Sequence, residues 1–122
     1  MISHIDHLVL TVSNLEESVR FYQRVLLMEP VSFANGRRAV KFGHQKINFQ
    51  VLGQEPRNHA RVGSGDLCLI TCWTLAEVAA HLVKEEVEIV EGPVKKSGAK
   101  GEITSLYFLD PDSNLIEISC YW

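Results

Sequence analysis

Cysteine is scarce and odd in number. Cys68, Cys72 and Cys120 are the three present, with no C-x-x-C spacing, which argues against a disulfide framework or a zinc ribbon and fits a reducing cytoplasm. Clustered positive charge is missing as well. The net charge is −3, and the longest basic grouping is Lys95-Lys96 with Lys100, too sparse to track a phosphate backbone, so sequence-independent nucleic-acid binding is not expected. No apolar stretch reaches the roughly 18 residues of a membrane span, and the first residues lack a signal-peptide pattern. These absences point to a cytoplasmic protein without a membrane partner. The 122 residues suit one domain, although each half by itself is small for a stable core.

What the chain does have is an internal repeat. Asp6-His7-Leu8-Val9-Leu10 opens the first half and Gly65-Asp66-Leu67-Cys68-Leu69 opens the second. Lys46-Ile47-Asn48-Phe49 closes the first, and Asn114-Leu115-Ile116-Glu117-Ile118 closes the second. The matched polar positions in these strands are His7, Asn48, Asp66 and Glu117. Three of these are potential metal ligands and the fourth is a polar amide, which suggests a site built between two modules.

Alternation and helical spacing give each half the same order. Ile5–Val12 reads as a strand. Asn14 then caps a helix whose first turn holds Glu16 and Glu17 and whose apolar face is Leu15, Val19, Tyr22 and Leu26. The helix runs to about Leu27, and Pro30 stops it. Val31–Phe33 and Arg38–Phe42 read as strands around an Asn35-Gly36 hairpin, and Lys46–Leu52 as a further strand. Residues 53–65 read as a linker. Asp66–Cys72 restarts the order, Thr74 caps a second helix ending near Glu86, and Val87–Val90 reads as a strand punctuated by Gly92-Pro93. Lys95–Gly101 reads as a loop, and Glu102–Leu109 and Leu115–Tyr121 as strands around the Asp110–Asn114 turn. The expected fold class is α+β: tandem βαβββ modules, about 1–52 and 66–122, forming one domain with a curved mixed sheet around a cavity.

Two stretches carry a family resemblance. The first is Ile5-Asp6-His7-Leu8-Val9-Leu10-Thr11-Val12 followed by Leu15-Glu16-Glu17-Ser18-Val19-Arg20-Phe21-Tyr22. The second is Tyr107-Phe108-Leu109-Asp110-Pro111-Asp112-Ser113-Asn114-Leu115-Ile116-Glu117. Both resemble the vicinal oxygen chelate superfamily of glyoxalases, fosfomycin-resistance proteins, extradiol dioxygenases and bleomycin-binding proteins, and Ser113 replaces the glycine usual in that turn. The resemblance implies a divalent metal (Mn, Ni, Zn or Fe) held by His7, Glu117 and Asp66, a homodimer, and a small-molecule substrate.

Individual residues refine these expectations. A carboxylate such as Glu117 between Ile116 and Ile118 is costly to bury without a partner. Asp66 stands where many relatives have histidine, and by itself it reads equally as a strand-start cap. Asn48 stands where glyoxalase I enzymes carry a glutamate, and an amide is no general base. One histidine with two carboxylates also departs from the two-histidine, one-carboxylate set of extradiol dioxygenases, which ranks that activity lower. Tyr107 and Gln50 are the expected catalytic groups. Asn48, Ser105, Tyr107 and Lys100 are the expected substrate contacts, although Ser105 and Tyr107 read equally as an ordinary strand hydroxyl and a half-buried aromatic. The expected activity is metal-dependent lyase, isomerase or conjugating chemistry on a small oxygenated, anionic metabolite or electrophile. The alternative is a non-catalytic binding protein of the bleomycin-resistance type.

Overall fold

The computed structural model describes all residues from Met1 to Trp122, which fall into two compact units, Met1–Ser64 and Gly65–Trp122. The first unit contains β1 (His7–Thr11), α1 (Leu15–Leu26), β2 (Glu29–Phe33), β3 (Arg37–Phe42) and β4 (Gln45–Gln50). Its sheet order is β1-β4-β3-β2, with β1 parallel to β4 and the other pairs antiparallel. Asn14 caps α1 by accepting from the Glu17 N–H at 3.0 Å, as its side-chain type and the acidic first turn imply. The helix closes at Leu27 in the left-handed conformation (φ 56°), before Pro30 is reached. Pro30 lies inside β2, the sheet edge, where a missing N–H is tolerated.

One face of this sheet presents Leu10, Ile47, Phe49 and Val40, all buried along with Val19, Tyr22 and Val25 of α1. The Tyr22 and Phe49 rings are centred 5.3 Å apart. The strand registers place three rows on the opposite face: His7–Lys46–Lys41–Glu29, Val9–Asn48–Ala39–Val31, and Thr11–Gln50–Arg37–Phe33. In the third row, Gln50 and Arg37 stand one step past the paired Phe49 and Arg38.

The second unit repeats the order with β5 (Asp66–Ile70), α2 (Leu75–Lys84), β6 (Glu91–Gly98), β7 (Gly101–Leu109) and β8 (Leu115–Cys120), arranged β5-β8-β7-β6. Thr74 and Glu77 form a reciprocal capping box at the start of α2. The repeat extends to register. His7 lies opposite Lys46 and Val9 opposite Asn48, just as Asp66 lies opposite Leu115 and Cys68 opposite Glu117. Asn48 and Glu117 therefore hold corresponding stations in their own sheets, and so do His7 and Asp66. The protein is an α+β fold of two mixed four-stranded sheets and two helices.

The second strand of this unit differs from the sequence expectation. Val87–Val90, expected as a strand, lies outside every strand; β6 instead runs from Glu91 to Gly98, through Gly92-Pro93, and takes up both Lys95 and Lys96, leaving only a tight turn before Gly101. The reason is its edge position together with a register shift between Glu91 and Val94, because a bulge at an edge accommodates proline without breaking a ladder. Gly92 adopts φ +107°, and a Cβ there would collide with the Ser105 carbonyl oxygen and approach the Leu106 Cα at 3.1 Å. Gly92→Ala is therefore expected to cost about 2 kcal/mol in urea unfolding, through backbone strain and overpacking. An unchanged midpoint would count against this packing of β6 on β7.

Candidate functional site

Antiparallel pairing of β7 with β8 sets Tyr107 opposite Glu117 and Ser105 opposite Ser119, while β5 sets Cys68 on the other side of Glu117. Period two places all five on one face. Leu106, Phe108, Ile116 and Ile118 fall on the other face and are buried. The carboxylate at the centre is firmly held. Ser105 Oγ donates to Glu117 Oε2 at 2.7 Å, and Ser119 Oγ donates to the same oxygen at 3.3 Å. The two serine oxygens are 2.7 Å apart, and Cys68 Sγ is 3.2 Å from Ser119 Oγ. Ser105 and Ser119 are wholly buried, so their hydroxyls serve the carboxylate rather than solvent.

The groups around Glu117 are tuned toward proton retention. Partial burial, then the adjacent Glu117 carboxylate, push the Tyr107 phenol up to about 12. It is therefore a protonated donor throughout the neutral range. Partial burial likewise pushes the Cys68 thiol up, with the nearby Glu117 and Asp66 charges adding to the effect. A thiol kept protonated is a weak nucleophile, which leaves Cys68 a packing and lining role.

Two cavities of about 430 and 390 Å³ open on this face. They share Lys96, Tyr107 and Glu117; the larger reaches Cys68 and Tyr121, and the smaller reaches Asp66 and Glu91. The cation at the site is thus Lys96, whose Nζ stands 5.5 Å from the Tyr107 ring centre and 3.6 Å from Glu91. Lys100 sits in the turn between β6 and β7. Its backbone N–H donates to the Tyr121 hydroxyl at 3.1 Å, and its Nζ lies 5.2 Å from that ring. Lys95 pairs with Glu102 instead. Sequence reasoning grouped these lysines in one loop because Gly92-Pro93 hid the strand. Ser119 follows Glu117 by two residues, the spacing that marks one face, and this is the signal in the sequence that points to it.

In the first unit, His7 Nδ1 is 2.8 Å from Asp6 Oδ2. That hydrogen bond holds the Asp6 carboxyl below the usual carboxylate range. An imidazole oriented by a carboxylate at Nδ1 offers Nε2 as a ligand, the outer-shell arrangement common among metal-binding histidines. Asn48 and Gln50 are both buried. Gln50 Nε2 donates to Thr11 Oγ1 at 3.0 Å, while Gln50 Oε1 and Asn48 Oδ1 have no donor.

No three His, Cys, Asp or Glu side chains converge closely enough within the chain to hold an ion. Of the residues expected as ligands, His7 is hydrogen-bonded to Asp6 and Glu117 to two serine hydroxyls. The chemistry of this donor set, one imidazole and carboxylate oxygens, fits a divalent cation.

Known proteins resemble this chain over nearly its whole length. An integron cassette protein from Vibrio cholerae has a solved structure that matches with a TM-score of 0.95 and 54% identity, covering 100% of this chain and 98% of that one. Virulence protein STM3117 of Salmonella typhimurium is 48% identical over 99% of this chain and 86% of its own length. The metallothiol transferase FosB of Shouchella clausii is 24% identical over 97% of this chain and 80% of its own. The model of the Glyoxalase/Bleomycin resistance protein/Dioxygenase superfamily matches residues 4–118. The chain belongs to that superfamily.

Proposed function

We propose that this protein is a divalent-metal-dependent enzyme of the glyoxalase and fosfomycin-resistance kind, with His7 and Glu117 as ligands and Asp66 as a third. Its substrate is a small oxygenated molecule carrying negative charge, its reaction a lyase, isomerase or conjugating step, and its assembly a homodimer. The observation that carries this reading is the Glu117 carboxylate, aimed by two buried serine hydroxyls toward cavities that also hold a protonated tyrosine and a lysine. Hydroxyls that fix a carboxylate's orientation are the outer-shell partners a metal ligand uses, and here they fix one that lines two cavities. The name of the FosB relative, a metallothiol transferase, supports conjugating chemistry.

His7, Glu117 and Asp66 would hold the ion, which would supply Lewis-acid stabilisation of charge on a substrate oxygen. The chain's own groups do the rest. Lys96 supplies the positive charge that draws an anionic substrate into the cavities. Tyr107, protonated at neutral pH, donates a hydrogen bond to a substrate oxygen as charge gathers there. Ser105 and Ser119 keep Glu117 in one orientation, and Gln50, tied to Thr11, offers an orienting amide.

Turnover is tested on chelator-treated and metal-reloaded protein, with two probe reactions: the methylglyoxal–thiol hemithioacetal, and thiol addition to a small phosphonate epoxide. The expected result is activity that disappears on chelation and returns with the ion. A protein that takes up no divalent ion, yet binds small molecules unchanged, is a binding module instead. Ser105→Ala separates the orienting role from the ligand role. It is expected to weaken ion affinity roughly tenfold to a hundredfold, the usual cost of losing an outer-shell partner, without unfolding the chain. Wild-type affinity in that variant would remove the orienting role.

A further inference from the structure

The β6–β7 hairpin is longer than the strand that supports it. β8 pairs with β7 from Leu115, opposite Leu109, to Cys120, opposite Thr104, and ends there. Past that point β6 and β7 continue as a pair, with Lys96 opposite Ile103, Ser97 opposite Glu102 and Gly98 opposite Gly101. A two-stranded ribbon without a third strand is marginal in water and opens locally at little cost. Lys96, the cation shared by the two cavities, is the first residue of β6 on this overhang.

Tyr121 takes the place of the missing strand. It follows Glu117 and Ser119 at period two, and it stands one step past the Thr104–Cys120 pair, where a further pair would set it opposite Ile103. Its hydroxyl accepts from the Lys100 N–H at 3.1 Å, and Lys100 Nζ lies 5.2 Å from its ring centre. Gly98 leaves room for that hydroxyl. A Cβ there would lie 2.6 Å from the Tyr121 oxygen and 2.8 Å from Ile103 Cγ2. Unlike Gly92 and Gly101, Gly98 has no positive φ, so the space, not the backbone, calls for glycine. Gly98, Ala99 and Tyr121 line the cavity of about 430 Å³ together with Lys96 and Glu117.

We propose that Tyr121 is a positioning residue: its hydroxyl latches the free end of the β6–β7 hairpin and thereby holds Lys96 beside Tyr107 at the larger cavity. Glu91 approaches the Lys96 ammonium at 3.6 Å from the end of β6 that lies opposite Tyr107. Tyr121 fixes the same strand from its other end. This deepens the function proposed above, and it rests on that reading only in taking Lys96 as the contact for an anionic substrate.

The test uses chelator-treated protein without substrate, so its outcome does not depend on the metal reading. Tyr121→Phe keeps the ring and removes the acceptor, and Gly98→Ala supplies the Cβ that displaces the hydroxyl. Amide hydrogen exchange and ¹H–¹³C correlation NMR are read on both. Lys96→Met assigns the Lys96 Hε signals, and Tyr107→Leu marks their position without the ring. In each variant the Lys100 N–H is expected to exchange about fivefold faster, the effect of one lost hydrogen bond, while the amides of Leu106 and Ile118 exchange as in wild type. The Lys96 Hε signals are expected to move toward their position in Tyr107→Leu. Should Gly98→Ala fold poorly, Tyr121→Phe decides. Unchanged Lys100 exchange in Tyr121→Phe would overturn the latch, and exchange quickened equally throughout the sheet would assign Tyr121 to general packing instead. Lys96 signals that stay in place would show that Glu91 alone holds the lysine, and would overturn the positioning role.

Discussion

Glu117→Ala is expected to reduce the affinity for Mn²⁺ or Ni²⁺ at least about a hundredfold, beyond the range seen when only an outer-shell partner is lost. The carboxylate sits at the meeting of three strands, with Cys68 and Tyr107 beside it in register and two serine hydroxyls on Oε2. Removing it takes away a proposed ligand and also the acceptor that orders both serines. The fold does not depend on it, because the hydrophobic layer of the unit lies on the other face, in Leu106, Phe108, Ile116 and Ile118. Circular dichroism and melting are therefore expected to change little while ion titration loses its signal. Comparison with Ser105→Ala grades the effect, the outer-shell change being the smaller. Equal losses for both would show that Glu117 acts by packing rather than by ligation.

Asp110→Ala is expected to destabilise the chain by about 3 kcal/mol. Asp110 Oδ1 accepts from the N–H groups of Asp112 and Asn114, each at 2.9 Å, and Oδ2 accepts from Asn114 Nδ2 at 2.8 Å. Asn114 in turn accepts from the Gly65 N–H at 2.6 Å, so one carboxylate braces the β7–β8 turn and, through Asn114, the residue preceding β5. Hydrogen bonds to a charged acceptor contribute roughly 1.5–3 kcal/mol each, and the deletion strands buried donors on Asn114. The bonds share one acceptor, which keeps the total below their sum. Asp110→Asn retains an acceptor for the two backbone donors but sets an amide NH₂ against Asn114 Nδ2, so about half the loss is expected. Chemical denaturation measures both. Equal stability of Asp110→Ala and wild type would refute the bracing role. Ser113 in this turn adopts φ +67°, the left-handed conformation that explains why glycine is usual there.

Much of the fold was legible because its signals are local. Asn14 and Thr74 are caps by side-chain chemistry, the acidic first turns suit the helix dipole, and alternation marked the strands that bear His7, Asn48, Asp66 and Glu117. The prolines misled for a common reason. Pro30 and Pro93 both lie in edge strands, β2 and β6, and edge position is a property of sheet order that a linear pattern does not display. The consequence for the site was direct: with β6 read as a loop, Lys96 was not distinguished from Lys95 and Lys100. The hydroxyl network is invisible for another reason. Ser105 and Ser119 are separated by the whole β7–β8 connection and meet only through register. The Asp6–His7 pairing was adjacent in sequence all along, yet nothing in the pattern shows which ring nitrogen it engages.

The central claim is that one imidazole, that of His7, binds the divalent ion together with carboxylate oxygen. The chain holds five histidines, and electron spin-echo modulation of bound Mn²⁺ counts the imidazole nitrogens coupled to the ion. The expected spectrum shows a single ¹⁴N-imidazole coupling that vanishes in His7→Gln. A coupling that persists in His7→Gln, or Mn²⁺ bound with no nitrogen coupling in the wild-type protein, would contradict the claim.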